Sequence, residues 1–173
     1  MEMVPPRILN LAEVAFDPAD DLDRTAPDGY DARFAAIGER LGARMLGYLL
    51  VETMPGCRAA PLHNHRCNEE MFLILEGEGT IRVGSERYPV RAGDVIACPP
   101  GGPETAHQIE NTSDRPLRYL AVSTMVEPDV IDYPDSGKFL VKGRLPTGDG
   151  TRNERFRFIG RQETSLNYWD GEE

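Results

Sequence analysis

A chain of 173 residues, 40% of them apolar and 28% charged, has the size and composition of one globular domain with a buried core. Its formal net charge of −10 opposes binding to nucleic acid and to anionic lipid. No apolar run approaches the roughly 20 residues that a membrane-spanning helix needs. We therefore expect neither a nucleic-acid partner nor a membrane partner.

The cysteines indicate a reducing compartment. Cys57, Cys67 and Cys98 are odd in number and form no CxxC pair. The N-terminal residues also lack the pattern of a signal peptide. We therefore expect reduced thiols and a cytoplasmic location.

The first 42 residues carry few clear structural signals. Residues 1–30 are rich in Pro and Asp, and the stretch from Asp17 to Asp31 is typical of an acidic loop. Residues 31–42 fit either a helix or a hairpin, because apolar residues recur at helical spacing while two glycines fit turns. We expect residues 1–42 to be an N-terminal extension.

From residue 43 onward, short apolar runs alternate with turns that contain Gly or Pro. This rhythm is typical of a β-sandwich or β-barrel. We expect a barrel core over residues 43–126 and a C-terminal extension, 127–173, that packs on the barrel and carries two edge strands. The predicted strands are 43–53, 71–75, 80–83, 87–90, 95–98, 105–111, 117–126, 138–141 and 155–159.

The three histidines of the chain are the strongest chemical signal. His63 and His65 point the same way if they lie on a strand, because alternate side chains share a face. A turn after His65 brings Glu70 beside them, and His107 lies on another predicted strand. Three imidazoles and one carboxylate suit Zn, Fe, Mn, Ni or Co better than Ca or Mg. Glu69 competes with Glu70 as the carboxylate.

The same residues resemble the two motifs of the cupin family. The first motif, G-x5-H-x-H-x3or4-E-x6-G, is matched with one extra residue after its first glycine at Gly56, His63, His65, Glu70 and Gly77. The second motif, G-x5-P-x-G-x2-H-x3-N, is matched with three extra residues before its histidine at Gly93, Pro99, Gly101, His107 and Asn111. The resemblance covers about residues 45–125.

The resemblance implies an all-β fold, the double-stranded β-helix or cupin jelly-roll barrel. It also implies a divalent metal (Zn, Fe, Mn or Ni) held by His63, His65, Glu70 and His107. The segments 132–138 and 168–172 resemble a subgroup of small bacterial cupins whose members are often labelled as candidate sugar-phosphate isomerases. A fold alone does not establish a reaction.

Three residues are candidates for a substrate pocket. Phe72 and Ile74 share the strand phase of Glu70, so we expect them inside the barrel beside the metal, with plain core packing as the alternative. Tyr48 faces either the pocket or solvent. Cys67 stands between two predicted ligands, and we interpret it as a loop thiol rather than a ligand.

The function predicted from these residues is that of a metal-dependent enzyme, isomerase-like or epimerase-like, acting on a small sugar-like or polyhydroxy substrate. One alternative is a cupin dioxygenase. Another is a non-catalytic cupin that binds a small ligand, which is favoured by the lack of an identifiable general base. Few Arg or Lys residues lie near the motifs, which argues against a phosphorylated substrate. Apolar strands of a small barrel also predict a homodimer.

Overall fold

The computed structural model describes residues 5–18, 25–146 and 153–172, and most of its regular structure is β-strand. One short helix, α1 (Ile37–Arg40), and three 3-10 turns accompany the strands in these ranges. No helix in the described ranges combines the length and apolar character needed to cross a bilayer. The strands are β1 (Ala32–Ala35), β2 (Leu46–Thr53), β3 (Asn64–His65), β4 (Glu70–Glu76), β5 (Glu78–Val83), β6 (Glu86–Arg91), β7 (Val95–Cys98), β8 (His107–Glu110), β9 (Leu117–Thr124), β10 (Asp129–Tyr133), β11 (Lys138–Pro146) and β12 (Asn153–Gly160).

The strands form two facing walls. One wall is an antiparallel sheet with the order β1-β2-β9-β4-β7. The other contains a four-stranded sheet, β12-β11-β10-β3, and a three-stranded sheet, β6-β5-β8. Backbone hydrogen bonds between His63 and His107, of 3.2 and 2.8 Å, join these two sheets. The chain therefore forms the expected double-stranded β-helix.

Apolar side chains fill the space between the walls. Each such side chain contributes about 1.5–3 kcal/mol when it is fully buried. The buried members of this core are Val51, Phe72, Ile74, Ile81, Val90, Cys98, Ile109, Leu117 and Tyr119.

A second, smaller cluster lies on the other face of the five-stranded sheet. Ala35, Ile37 and Leu50 are its buried members, with Tyr48 packed against them. This cluster exists because the segment 31–42, which the sequence left open between helix and hairpin, forms both β1 and α1.

Asp17 attaches the N-terminal segment to this cluster. Its Oδ2 accepts a hydrogen bond of 2.7 Å from Ala36 N, and its Oδ1 binds Arg40. The Ala36 N–H, assisted by Arg40, outweighs burial and holds the pKa of the Asp17 carboxyl below its ordinary value. The predicted acidic loop is therefore partly a structural contact, while its residues 19–24 lie outside the described residues.

The expected divisions at 42/43 and 126/127 do not coincide with breaks in the sheets. β1 pairs with β2, and β10 pairs with β3, the strand that contains His65. The sequence did not indicate β3, which has only two residues, or β10, which carries two aspartates. Because β10 and β12 flank β11, β11 is an interior strand and not an edge.

Candidate metal centre

Three side chains meet at one site: His63 directly before β3, Glu70 at the start of β4 and His107 at the start of β8. The ligand atoms of His63, Glu70 and His107 all lie within 4.8 Å of one another. Glu70 Oε2 is at their centre, 2.9 Å from His107 Nε2 and 3.8 Å from His63 Nε2. Glu70 and His63 keep side-chain exposures of 16% and 18%, so a small molecule can reach the site.

His65 completes the cluster from the second side. Its Nε2 lies 3.4 Å from Glu70 Oε2. His65 is outside the group whose ligand atoms are all mutually within 4.8 Å, which holds only His63, Glu70 and His107 in the described residues. The structure therefore brings all four sequence-predicted ligands together: each histidine side chain lies within 4 Å of Glu70, and His65 contacts Glu70 more closely than it approaches the other two imidazoles.

The backbone explains why the longer loop before His107 does not displace it. The extra residues form a 3-10 turn, Pro103–Thr105, closed by the hydrogen bond from Ala106 N to Pro103 O. β8 then begins at His107 and pairs with His63. Asn64, fully buried, donates to Gly101 O at 2.8 Å and holds the same loop from the other side.

Each imidazole is oriented by a second contact at Nδ1. His63 Nδ1 lies 2.8 Å from Pro61 O, and His107 Nδ1 lies 3.2 Å from Thr105 O. A carbonyl oxygen only accepts hydrogen bonds, so in both rings Nδ1 carries the proton. In the neutral ring, Nε2 is then the unprotonated nitrogen, which is the one that can bind a metal ion. Only a ring that carries a second proton donates from Nε2 to Glu70.

Asp129 is the corresponding partner of His65, and the sequence analysis did not identify it. Its Oδ2 lies 2.6 Å from His65 Nδ1, and its side chain is fully buried. A carboxylate behind an imidazole is the usual outer partner of a metal-bound histidine. No local pattern marks Asp129, because it reaches His65 only through the pairing of β10 with β3.

The cluster strongly favours a negative charge on Glu70. Burial opposes ionisation, but the hydrogen bond from His107 and the proximity of His63 and His65 outweigh it and hold the pKa of Glu70 well below its ordinary value. Burial likewise opposes protonation of His65, yet Asp129 and Glu70 raise the pKa of His65 to about 9. The site is therefore built to hold positive charge beside a buried carboxylate.

These donors fit a divalent transition metal. Lone pairs of neutral imidazoles that point at a carboxylate repel it, and a cation among these atoms turns that repulsion into attraction. Nitrogen and oxygen donors of this kind suit Zn, Fe, Mn or Ni. The second hydrogen bond on each ring already fixes the tautomer that a metal ligand needs.

The neighbouring residues fall into two groups. Phe72 packs beside the site, with its ring centroid 5.5 Å from that of His107, and Ile74 lies in the core cluster with it. Tyr48 does not join them, because it packs in the outer cluster on the opposite sheet face. Consecutive strand residues point to opposite faces of the sheet. On β2 the side chain of Val51 points into the core, so Tyr48, an odd number of residues away, points to the other face.

Glu69 and Cys67 both point away from the cluster. Each is exposed, and each is anchored by its backbone N–H, to Thr124 Oγ1 and Asp129 Oδ1 respectively. Buried Asn68 lies between them and donates to Val126 O at 3.0 Å. This fixes the turn that delivers Glu70 to the histidines.

A cavity of about 530 Å³, a usual size for a small-ligand site, is lined by Pro61 and Leu62, the two residues before His63, although none of the four cluster residues lines it. Tyr133 joins the cavity and the cluster, because it lines the cavity and its ring centroid lies 6.1 Å from that of His63. The C-terminal segment also contributes Lys138 and Arg157 to the wall. The sequence singled out residues 132–138 only as a subgroup resemblance, so these cavity residues were not predicted.

Comparison with known families supports this description. Residues 49–123 match the family model for the cupin domain. The chain is 42% identical over 62 residues to an uncharacterized protein from Methanocaldococcus jannaschii, covering 36% of this chain and 47% of that protein. It is 36% identical over 83 residues to the oxalate-binding protein of Thermotoga maritima, covering 48% and 60%. The chain thus spans about half the length of these curated relatives.

Solved structures agree on the fold. A cupin-superfamily sugar phosphate isomerase from Silicibacter pomeroyi superposes with a TM-score of 0.68 at 24% identity, covering 88% of this chain and 98% of that one. A candidate sugar phosphate isomerase from Acidithiobacillus ferrooxidans gives 0.66 at 25% identity, covering 80% and 81%. Residues 49–123 are thus similar to the cupin domain, and the chain has the double-stranded β-helix fold of these solved structures.

Proposed function

We propose that this cupin is a metal-dependent enzyme, isomerase-like or epimerase-like, that acts on a small sugar-like or polyhydroxy substrate. The observation that carries the proposal is the meeting of His63, Glu70 and His107 within 4.8 Å, beside a cavity of about 530 Å³. The similar structure from Acidithiobacillus ferrooxidans is a candidate sugar phosphate isomerase, which supports a sugar-like substrate.

The protein would hold the metal through His63, Glu70 and His107, with His65 as the fourth ligand. When bound, a divalent ion supplies Lewis acidity that makes a proton on carbon beside a bound oxygen more acidic. Asp129 holds His65 in one tautomer, and Phe72 forms an apolar wall against His107. The cavity orients the rest of the substrate and limits the entry of water.

The test is a substrate screen on the metal-loaded protein. Aldoses, ketoses and their acids are incubated in D2O, and NMR follows both isomer formation and exchange of the carbon-bound proton. We expect turnover that His107→Ala abolishes and the exposed-loop variant Cys67→Ser retains. Proton exchange that is equal in wild type and His107→Ala would contradict the proposal. Oxygen consumption with Fe(II) would indicate the dioxygenase alternative.

A second candidate is a binding module without catalysis, favoured by the similarity to the oxalate-binding protein of Thermotoga maritima. In that case oxalate raises the melting temperature of the metal-loaded chain, with a stabilisation that grows as the logarithm of the oxalate concentration over its Kd, and no product forms. Thermal unfolding with and without oxalate, run beside the NMR screen, separates the two candidates.

We further propose a cytoplasmic homodimer. The three cysteines are free thiols, as a reducing compartment requires. Large apolar side chains stand exposed on two parts of the surface, which a second copy of the chain would cover. They are Met45, Leu46, Leu49, Val95, Met125 and Val126 on and around the five-stranded sheet, and Phe156, Phe158, Ile159, Leu166, Tyr168 and Trp169 near the C-terminus.

A further inference from the structure

Glu70 is open to solvent from a side that the 530 Å³ cavity does not reach. None of the four cluster residues lines that cavity, yet the Glu70 side chain keeps 16% of its surface exposed. The register of the five-stranded sheet identifies the opening, because Glu70 pairs with Cys98 of β7 on one side and with Ser123 of β9 on the other. Cys98 is buried and Ser123 is only half-buried. The opening therefore lies on the β9 side.

The next residue in this row of the sheet is Gly47 of β2, which pairs with Ser123. Gly47 lies an even number of residues from Val51, whose side chain points into the core, so its own inner face points into the barrel as well. A Cβ built on Gly47 would lie 2.9 Å from Met125 Sδ. The Met125 side chain, 47% exposed, therefore crosses the inner face of the sheet at Gly47.

Leu49 is the next inward-pointing residue of β2. It pairs with Ala121, which pairs in turn with Phe72, the apolar wall of the metal centre. Leu49 is 39% exposed, whereas Val51, two residues further along the same face, is 3% exposed. The packed core therefore ends between these two residues, and the inner face is open and apolar at Leu49. Tyr48, which the sequence left between pocket and solvent, points to the other face.

Leu49 and Met125 are continuous with the metal centre. Two strand spacings of about 4.8 Å separate β2 from β4, so Gly47 lies about 10 Å from the backbone of Glu70. Gly47 and Ser123 carry no side chain and a small one, and so leave room above the sheet. A ligand whose oxygen atoms reach Glu70 extends over this floor, and its apolar atoms gain free energy by covering Leu49 and Met125.

We propose that Leu49 and Met125 form an apolar subsite at the barrel mouth, so that the substrate carries an alkyl or aryl group beyond the oxygen atoms that reach the metal. This deepens the proposed function and rests on the same metal site, because it selects polyhydroxy compounds with an apolar substituent. The unbranched methionine side chain adapts to such a group. Leu46 and Val95, which point to the outer face of the sheet, remain available to a second copy of the chain.

The test uses two probes that bind a divalent metal through the same two oxygen atoms, acetohydroxamate and hexanohydroxamate, which differ by a chain of four methylenes. Each methylene that is fully buried tightens binding about fourfold, or about 0.8 kcal/mol. Isothermal titration into the Zn-loaded full chain should therefore give at least about tenfold tighter binding of hexanohydroxamate. Leu49→Ser and Met125→Ser should each lower this ratio at least about threefold and leave acetohydroxamate binding unchanged.

Leu46→Ser is the matched control, because Leu46 lies on the same strand and is exposed to the same degree, 41% against 39%, but points to the outer face. It should keep the wild-type ratio, and melting temperatures verify that each variant is folded. Equal binding of the two probes, or a ratio that falls equally in all three variants, would overturn the subsite. A lower mass by light scattering in Leu49→Ser and Met125→Ser, with the ratio unchanged, would also overturn it and assign both residues to the dimer surface.

The outcome is separable from that of the proposed function. Binding that depends on chain length, without turnover of any screened sugar, keeps the subsite and removes the enzyme. Turnover together with equal binding of the two hydroxamates keeps the enzyme and removes the subsite. A chain that binds neither Zn nor either probe contradicts both.

Discussion

Asp129 makes several contacts at the candidate metal centre, although it is distant in sequence from the two motifs. Its side chain is fully buried, with His65 Nδ1 at 2.6 Å and Lys142 Nζ at 3.6 Å. The backbone N–H of Cys67 also donates to it, at 3.3 Å. These contacts satisfy a buried charge and hold the His65 ring in place, so we propose that Asp129 is a positioning residue for the candidate metal ligand His65.

We expect Asp129→Asn to weaken metal binding about 10- to 100-fold, because the amide no longer fixes the His65 tautomer or its charge. Competition with a chelator measures the affinity. Asp132→Asn is the control, since Asp132 lies on the same strand but binds Arg66 and Asn64 instead of a histidine. Equal affinities for the two variants would contradict this role.

The cysteines should differ sharply in reactivity. Cys98 is 3% exposed, and burial together with the negative charge of Glu70 raises its pKa to about 12. Thiolate, the reactive form, is therefore scarce at Cys98 at any pH below that value. Exposed Cys67 should react with iodoacetamide in the native protein while Cys98 stays intact until the chain unfolds. Mass spectrometry of the peptides measures this, and fast labelling of native Cys98 would refute it.

At this scale the sequence predicts ligands better than their surroundings. The sequence spacing of the four candidate ligands matches the two motifs, and the β-barrel brings them together. They are His63, His65, Glu70 and His107. Asp129 has no such spacing, because its place depends on pairing across more than sixty residues of chain. For Tyr48 the strand was predicted, but the sheet face to which its side chain points was left open; in the structure it packs against the outer cluster.

Among the elements, the loop after β8 is held by one side chain. Asn111 is 1% exposed and donates to Thr53 O at 2.9 Å and to Arg115 O at 2.7 Å. Its own Oδ1 accepts from Ser113. The asparagine of the second cupin motif is therefore structural here, as the sequence indicated, and it joins β2 to the loop that precedes β9.

We expect Asn111→Ala to lower the free energy of unfolding by about 2–3 kcal/mol, because it removes the side-chain donor to the buried Thr53 carbonyl and the acceptor of Ser113. Urea unfolding measures the change. Thr112→Ala, at the exposed next position with one 3.3 Å contact to Thr80, should change stability by less than about 0.5 kcal/mol. A loss for Asn111→Ala no larger than that of Thr112→Ala would show that water replaces the side chain.

The turn glycine of the first motif shows why element boundaries were predictable. Gly77 has a φ of +85°, and a Cβ there would lie 2.7 Å from Pro116 O. Only glycine combines that conformation with that approach, so the motif marks the end of β4 reliably. No turn glycine of this kind marks the ends of β3, and its two residues are too few for an alternating pattern.

For the whole molecule, the surface indicates association. Three large apolar side chains near the C-terminus are 71–84% exposed, and exposed apolar clusters are typical of surfaces that bind another chain. They are Leu166, Tyr168 and Trp169. We expect light scattering to give twice the chain mass of 19.3 kDa, and Trp169→Glu to lower the dimer fraction. Arg161→Glu in the same exposed segment serves as control, because it changes the net charge by two units whereas Trp169→Glu changes it by one. A monomeric mass for the wild type at micromolar concentration would contradict this prediction.

The division of the chain into core and extensions was the coarsest part of the sequence analysis. Composition changes near residues 42 and 126, yet β-pairing crosses both points. The C-terminal segment supplies Asp129 to the metal centre and Tyr133, Lys138 and Arg157 to the cavity. Long-range pairing of this kind leaves no periodic signal, so the sequence located the candidate metal ligands and not the cavity.

The most direct measurement of the central claim is the metal content of the purified full-length chain by elemental analysis. We predict close to one equivalent of a divalent transition metal per chain in the wild type. We predict near-complete loss of the metal in His63→Ala and His107→Ala, with unchanged content in Cys67→Ser. Full occupancy in both histidine variants, or no metal in a wild type incubated with Zn, Fe, Mn and Ni in turn, would contradict this claim.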